Sequence, residues 1–315
     1  MTFRSLMILL LVTLSVSVGV WAQPQNQLIS LFDFGTTVRA TGMGGAFAGL
    51  ADDAQAILYN PAGLGLLERL HANATVQSHL GQSSISGLIA AIPSLGVGVQ
   101  LYSVDGLVQR TNDDQAGATF NYGQFAIFGA GAFRLGALIG VPSLRGLSFG
   151  LRFKFLSVNT LAAGSGSTFA LDPSMLWEIG GANIAGLSVS AIRFGATVDN
   201  LGTGITYGSG YQESLGIGAR VGVSAVVQER TVVGLEFNTA DGFHLGGEHR
   251  LPIQSAGTLS VRTGLSTANG FTFNFGLGFL YQQLIRVDYA FASHGQLFGS
   301  HQLAMAVAYN LGQLF

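Results

Sequence analysis

His301-Gln302-Leu303-Ala304-Met305-Ala306-Val307-Ala308-Tyr309-Asn310-Leu311-Gly312-Gln313-Leu314-Phe315 is the stretch that decides the fold. Leu303, Met305, Val307, Tyr309, Leu311 and Phe315 take odd positions, broken by Gln313, while Gln302, Ala304, Ala306, Ala308, Asn310 and Gly312 take even ones. Successive side chains of a strand point to opposite faces, so one face here is greasy and the other small and polar. Apolar-out, polar-in alternation over about 10 residues is the pattern of a transmembrane β-strand.

The same pattern extends backwards along the chain. Ile285, Val287, Tyr289 and Phe291 alternate with Arg286, Asp288, Ala290 and Ala292. Phe271, Phe273, Phe275, Leu277, Phe279 and Tyr281 alternate with Thr272, Asn274, Gly276 and Gly278, and Leu147 to Phe155 does likewise around Ser148, Gly150, Arg152 and Lys154. Further such segments run through 215–227 and 259–265 and, with opposite parity, 192–198. A half-buried soluble sheet also alternates. Here, however, the apolar faces are long and aromatic, and the other faces carry Gly, Ala, Ser and isolated charges, as in a crowded lumen. The segments start near residues 70, 84, 95, 122, 146, 167, 190, 213, 230, 242, 257, 270, 283 and 301. They predict an all-β, transmembrane antiparallel barrel of about 14 strands, with 12 as the alternative, since bacterial single-chain barrels have even strand numbers. Longer connections are expected around 105–118, 161–167 and 201–211.

Composition agrees. Charged residues make up 10% of the chain, against about 25% in an ordinary soluble domain. The 46 glycines and a mean hydropathy of +0.45 also suit a chain surrounded by lipid. A net charge of -2 argues against nucleic acid as a partner. With no cysteine, disulfides, thiolate metal sites and cysteine nucleophiles are excluded. Residues 1–22 read as a secretory signal peptide, with Arg4 before an apolar core from Leu6 to Val20 and a small-residue cleavage site at Val20-Trp21-Ala22; an N-terminal anchor is the rival reading. After Ala22 no uncharged apolar run approaches the ~18 residues of a spanning helix.

Residues 23–68 do not alternate, which makes them a separate N-terminal segment ahead of a barrel over 69–315. Gly42, Gly44, Gly45 and Gly49 permit close backbone approach. Asp52-Asp53 are placed to cap a short helix over 54–58, which Pro61 would end.

Three motifs in this segment carry a family resemblance: Arg39 with Met43-Gly44-Gly45-Ala46, then Ala51-Asp52-Asp53, then Asn60-Pro61-Ala62-Gly63-Leu64. Together they resemble the start of the FadL-like and PorV/PorQ-like outer-membrane proteins. Asp288-Tyr289-Ala290-Phe291 and His301-Gln302-Leu303 look like the last hairpin of the PorV/PorQ type, and Asn200-Leu201-Gly202 is similar to a mid-chain motif of that group. Tyr309, Leu311 and the terminal Phe315 resemble the C-terminal signal that such barrels present to their assembly machinery. The resemblance implies a hatch, partly helical, tucked into the lumen. It also implies a bacterial outer-membrane location, contact with outer-membrane lipid, and one of two roles. The first is passage of hydrophobic or amphipathic small molecules, with Asn60-Pro61-Ala62 as the hatch motif, Arg39 and Asp53 as its electrostatic latch, and a strand kink opening the exit. The second is a type IX secretion component that binds cargo or partner proteins. At 315 residues the chain lacks room for the long extracellular loops of the larger members.

Arg152, Lys154, Arg193, Arg220, Glu236, Arg262, Arg286 and Asp288 fall on the lumen parity. An Arg or Lys facing lipid at mid-bilayer costs about 2–4 kcal/mol, so these groups are expected inside. There they either grip a ligand headgroup or form a structural network that fixes the hatch. Asp52-Asp53 fall far short of the six to eight oxygen ligands that Ca²⁺ takes, and pairing with Arg39 is the stronger expectation. The histidines lack zinc spacing and no Gly-x-Ser-x-Gly elbow is present. No metal, cofactor or enzymatic activity is expected.

Overall fold

The computed structural model describes residues 31–32, 37–79, 81, 83–110, 115–160, 164–184, 186–267, 270–294 and 297–310. The signal-peptide and anchor readings of 1–22, and Leu311 and Phe315 of the expected assembly signal, lie outside the described residues.

Long alternating segments cannot bury both faces, and the chain resolves this by closing on itself. Seven antiparallel strands come first: β1 (Leu70–His79), β2 (Ser83–Ile92), β3 (Leu95–Arg110), β4 (Ala116–Arg134), β5 (Leu147–Thr160), β6 (Gly164–Ile184) and β7 (Leu187–Asp199). Three short pieces follow: β8 (Leu201–Gly202), β9 (Ile205–Tyr207) and β10 (Gln212–Glu213). The wall resumes with β11 (Gly218–Val227), β12 (Thr231–Asn238), β13 (Gly242–Ile253), β14 (Gly257–Ser266), β15 (Thr272–Tyr281), β16 (Ile285–His294) and β17 (Leu297–Tyr309). β7 pairs with β11, and β17 returns to β1 in a register running from Leu70 opposite Tyr309 to Ser78 opposite His301. The result is a closed barrel of 14 strands with no free edge. Closure satisfies the backbone groups that hydrocarbon cannot.

The expected parity is observed. Phe273 and Met305 are 66% and 57% exposed on the outer surface, whereas Arg152 and Asp288, of opposite parity, are 1% and 0% exposed inside. Tyr309 closes β17 opposite Leu70. By the rule that short turns are periplasmic, the end carrying Leu70 and Tyr309 faces the periplasm. Its turns include Gln228-Glu229 and Gln282-Gln283, all four at positive φ between 47° and 60°, as the two central positions of a mirror-image β-turn require.

The eighth wall strand starts at Gly218 rather than near 213, because β8 to β10 occupy the stretch between. β8 and β9 pair with the upper part of β6, and β10 pairs with β9. β3 and β4 reach to Arg110 and from Ala116, well into the region expected to be loop. The connection from β4 to β5 holds a short helix (Leu135–Leu138) and a 3₁₀ turn (Pro142–Leu144) that alternation does not reveal. Register breaks fall at 104–110, at 226–227 and at 292–294, towards strand ends. β1–β2 and β2–β3 pair without a register break.

Candidate functional site

Residues 37–67 lie inside the barrel. They form helix α1 (Val38–Gly42), a turn, helix α2 (Ala56–Tyr59) and a 3₁₀ helix (Pro61–Leu66). Hydrogen bonds tie this plug to strands around most of the circumference. Thr41 O accepts from Asn274 of β15, Gly49 O from Ser224 of β11, Tyr59 O from Thr197 of β7, and Ala62 O from Ser148 of β5. Ala62 N donates to Ser174 of β6.

The wall receives the plug on a track of glycines. A Cβ at Gly246 would strike the Met43 carbonyl, one at Gly264 the backbone at Met43 and Gly44, one at Gly195 the Ala48 carbonyl, and one at Gly150 the backbone at Pro61 and Ala62. At Gly222 the Gly49 nitrogen would be 3.0 Å away, and at Gly276 the Gly42 Cα also 3.0 Å. Plug backbone and wall backbone touch, so a side chain at Gly150, Gly195, Gly246 or Gly264 forces the plug to move, and one at Gly222 or Gly276 meets it tightly. Gly44 and Gly45 take φ of +66° and +89°, reversing the chain after α1, and the Gly44 carbonyl lies 2.7 Å from His244 Nδ1.

Asn60 fixes the second half of the plug. It caps the 3₁₀ helix by accepting from Ala62 N at 3.1 Å, and its amide donates to Ala48 O at 2.8 Å and to Met175 O of β6 at 3.0 Å. Pro61 occupies the first 3₁₀ position, where no N–H is needed. Gly63 is required because a Cβ there would meet the Ala51 carbonyl. Asn60→Ala is expected to remove the side-chain donor of the Ala48 and Met175 carbonyls and the cap of the 3₁₀ helix, leaving Ala62 N to Ser174 alone, and to loosen this half of the plug by about 2–3 kcal/mol. Faster hydrogen exchange over residues 56–66, with the strands unchanged, is the readout.

Two charge networks hold the plug electrostatically. In the first, Arg39 donates from Nε to Glu248 Oε2 at 2.8 Å and approaches Asp53 Oδ2 at 3.1 Å. Arg286 bridges Asp53 at 3.0 Å to Asp288 at 2.6 Å, and Arg262 bridges Asp288 at 2.7 Å to Glu248 at 2.7 Å. These six groups form a closed ring of alternating sign joining plug to β13, β14 and β16. Asp52 pairs with Arg39 and lies 3.5 Å from Arg193, which holds Glu178 at 2.6 Å. In the second network Arg152 and Lys154 share Asp172, Arg152 and Arg220 share Asp199, and Arg220 stands 3.7 Å from Glu236. The Glu236 carboxylate accepts the plug N–H groups of Phe47 at 2.9 Å and Ala48 at 2.7 Å. Lys154 also lies 4.4 Å from the centre of the Phe32 ring.

Every charge picked out from lumen parity is therefore inside and paired. Sequence reading missed the acids Glu248, Asp172, Asp199 and Glu178. Strand pairing would have found three of them, because Glu248 faces Arg262 across β13–β14, Asp172 faces Arg152 across β5–β6 and Glu178 faces Arg193 across β6–β7. Among the described residues no group of three or more His, Asp or Glu is arranged to hold a metal.

Burial would raise the Asp53 carboxyl, but Arg286 and Arg39 outweigh burial and hold it below the ordinary carboxylate value. A depressed carboxylate stabilises the folded state above its unfolded pKa of about 3.9, and that contribution is lost as pH falls through the lower folded value. The Asp53 contribution to the protection of residues 38–66 from hydrogen exchange should therefore be constant from about pH 8 down to about pH 5 and fall only below about pH 4.

Sequence reasoning also missed an apolar cluster on the inner wall. Ile85 and Ile89 of β2, Ala126 and Phe128 of β4, and Leu156 and Val158 of β5 face inward and are buried with Leu31 and Phe32. Ile205, Tyr207 and Leu215 close over them from the β7–β11 connection, and Tyr102 and Tyr122 flank them with ring centroids 6.0 Å apart.

No family model matches the chain, and no curated protein does. Solved structures do. The TodX deltaS2S3 mutant monoaromatic hydrocarbon channel aligns over 87% of this chain and 98% of its own, with a TM-score of 0.52 at 10% identity. The CymD monoaromatic hydrocarbon channel aligns over 87% and 96%, with a TM-score of 0.49 at 12% identity. The Pseudomonas putida toluene transporter TodX aligns over 90% and 98%, with a TM-score of 0.47 at 12% identity. The likeness is one of fold.

Proposed function

We propose that this barrel passes hydrophobic or amphipathic small molecules across the outer membrane. The observation that carries the reading is the apolar inner wall. A barrel that conducts polar solutes has a polar, water-filled interior, whereas here Ile85, Ile89, Phe128, Leu156 and Val158 face inward in one cluster. The fold shared with the TodX variant, a monoaromatic hydrocarbon channel by name, supports the same reading. In this account a ligand enters from outside and settles on the apolar cluster. It displaces Phe32 from Lys154, and the plug yields where Arg39 and Asp53 join it to the wall. The charge networks then serve to hold and release the plug, with Asn60-Pro61-Ala62 setting its seat.

Mass spectrometry of the protein extracted from outer membranes in mild detergent tests this. A hydrophobic small molecule near one per barrel, lost in an Ile85→Ser/Ile89→Ser variant that still folds, is the expected result. A stoichiometric protein partner with no such molecule would overturn the reading in favour of a secretion role.

A further inference from the structure

The plug turn that follows α1 meets the wall at a histidine whose two ring nitrogens both contact oxygen acceptors. His244, on the luminal face of β13, has Nδ1 2.7 Å from the Gly44 carbonyl of the plug and Nε2 2.9 Å from Asp241 Oδ1. Asp241 belongs to the β12–β13 connection, at the barrel end opposite Leu70 and Tyr309 and therefore extracellular. Plug, ring and extracellular turn are joined in one chain of contacts. The ring has little freedom between them. Its side chain is 7% exposed, and a Cβ on Gly45 would come within 2.8 Å of Nδ1.

A carbonyl and a carboxylate accept hydrogen bonds and donate none. A neutral imidazole carries one N–H and can serve one of them, whereas the imidazolium carries two and serves both. We infer that His244 is a pH-dependent clasp: doubly protonated, it fastens the plug to the extracellular turn, and on losing a proton it opens. In the neutral ring, a proton kept on Nδ1 leaves the Nε2 lone pair facing Asp241, whose side chain is 41% exposed and free to turn to water. A proton kept on Nε2 leaves a lone pair against the Gly44 carbonyl. Either way the chain of contacts is broken.

The groups around the ring favour the closed form. Glu236 stands directly opposite His244 on β12 and accepts the N–H groups of Phe47 and Ala48 from the same plug turn. Arg220 approaches Glu236 at 3.7 Å. Ser266 faces the ring from β14 and is occupied by the Thr272 hydroxyl. Tyr59 of the plug is within electrostatic reach of Glu236 and Asp241, and burial pushes its hydroxyl up to about 12, so it stays neutral. The fastened state binds the extra proton, so the clasp contributes at low pH and its contribution is lost as pH rises through the His244 value. This is opposite in sign to Asp53, whose contribution is lost only in acid. The clasp acts on the plug whatever the barrel carries.

Hydrogen exchange of the full-length protein in detergent, corrected for the pH dependence of intrinsic exchange, tests this between about pH 6 and about pH 9, where a histidine loses its second proton. Protection of residues 43–48 should fall at least about tenfold over this interval, as expected for loss of one charge-assisted hydrogen bond. Asp241→Asn should hold the protection high throughout, because its amide accepts from an imidazolium and, turned over, donates to a neutral ring. His244→Gln should also be insensitive to pH but with low protection, because its amide does not titrate and has a single nitrogen to donate from. His71, a second histidine near the plug at the periplasmic mouth, is retained in both variants and so drops out of the comparison. Nitrogen-15 NMR of ring-labelled protein, with the His244 signals identified by their absence from His244→Gln, should show two protonated nitrogens at the lower pH and one at the higher. Heat-modifiable gel mobility reports whether each variant is a folded barrel. Wild-type protection that does not change over the interval, or an equal fall in folded His244→Gln, would overturn the inference.

Discussion

Arg39→Met is expected to release the plug from the β13–β16 wall while the barrel stays closed. The guanidinium is buried and pairs with Glu248, Asp53 and Asp52. Removing it leaves carboxylates without their common partner, and breaking a buried pair in this way costs about 3–5 kcal/mol. Arg262 still holds Glu248 and Arg286 still holds Asp53, so the loss should fall on plug docking rather than on the strands. Hydrogen exchange over 38–54 should accelerate by roughly two orders of magnitude or more, since about 1.4 kcal/mol corresponds to a factor of ten. Single barrels in planar bilayers should change from silent to conducting. An unchanged exchange rate would mean that the ring does not hold the plug.

Gly246→Val should act on the same docking by steric means. Its Cβ would meet the Met43 carbonyl, a backbone atom with no rotamer to change. Overpacking typically costs about 1–3 kcal/mol, and more where the neighbour cannot move. Gly247→Val is the control, because a Cβ at this adjacent position would find no atom closer than 3.8 Å. Limited proteolysis should cut the plug in Gly246→Val and spare it in Gly247→Val, with both barrels equally resistant to heat. Equal cleavage of the two would show that the glycine track is not the plug's seat.

The barrel was legible wherever lipid imposes a single requirement on one face. Phe271 to Tyr281 and Leu303 to Val307 alternate because their outer face meets hydrocarbon, and strand starts at 70, 95, 242 and 257 fell where alternation placed them. The lumen obeys several requirements at once. Ile85, Ile89, Leu156 and Val158 are apolar although they point inward, so hydropathy alone assigns them no side. Gln228-Glu229 and Gln282-Gln283 form tight turns with positive φ and without the Asn-Gly signature. The arginines of the site were legible from parity, but their partners Glu248 and Asp172 required strand register, which no single strand contains. The glycines of residues 42–49 were legible as points of close approach. Which wall glycine each one meets is a property of the closed barrel.

The claim that this barrel carries hydrophobic molecules is tested most directly by flux. Purified protein reconstituted into vesicles that enclose a hydrophobicity-reporting dye should accelerate the entry of toluene over protein-free vesicles. The acceleration should be lost in folded Ile85→Ser/Ile89→Ser barrels, while raffinose should stay excluded throughout. Entry of raffinose, or toluene entry no faster than through lipid alone, would contradict the account.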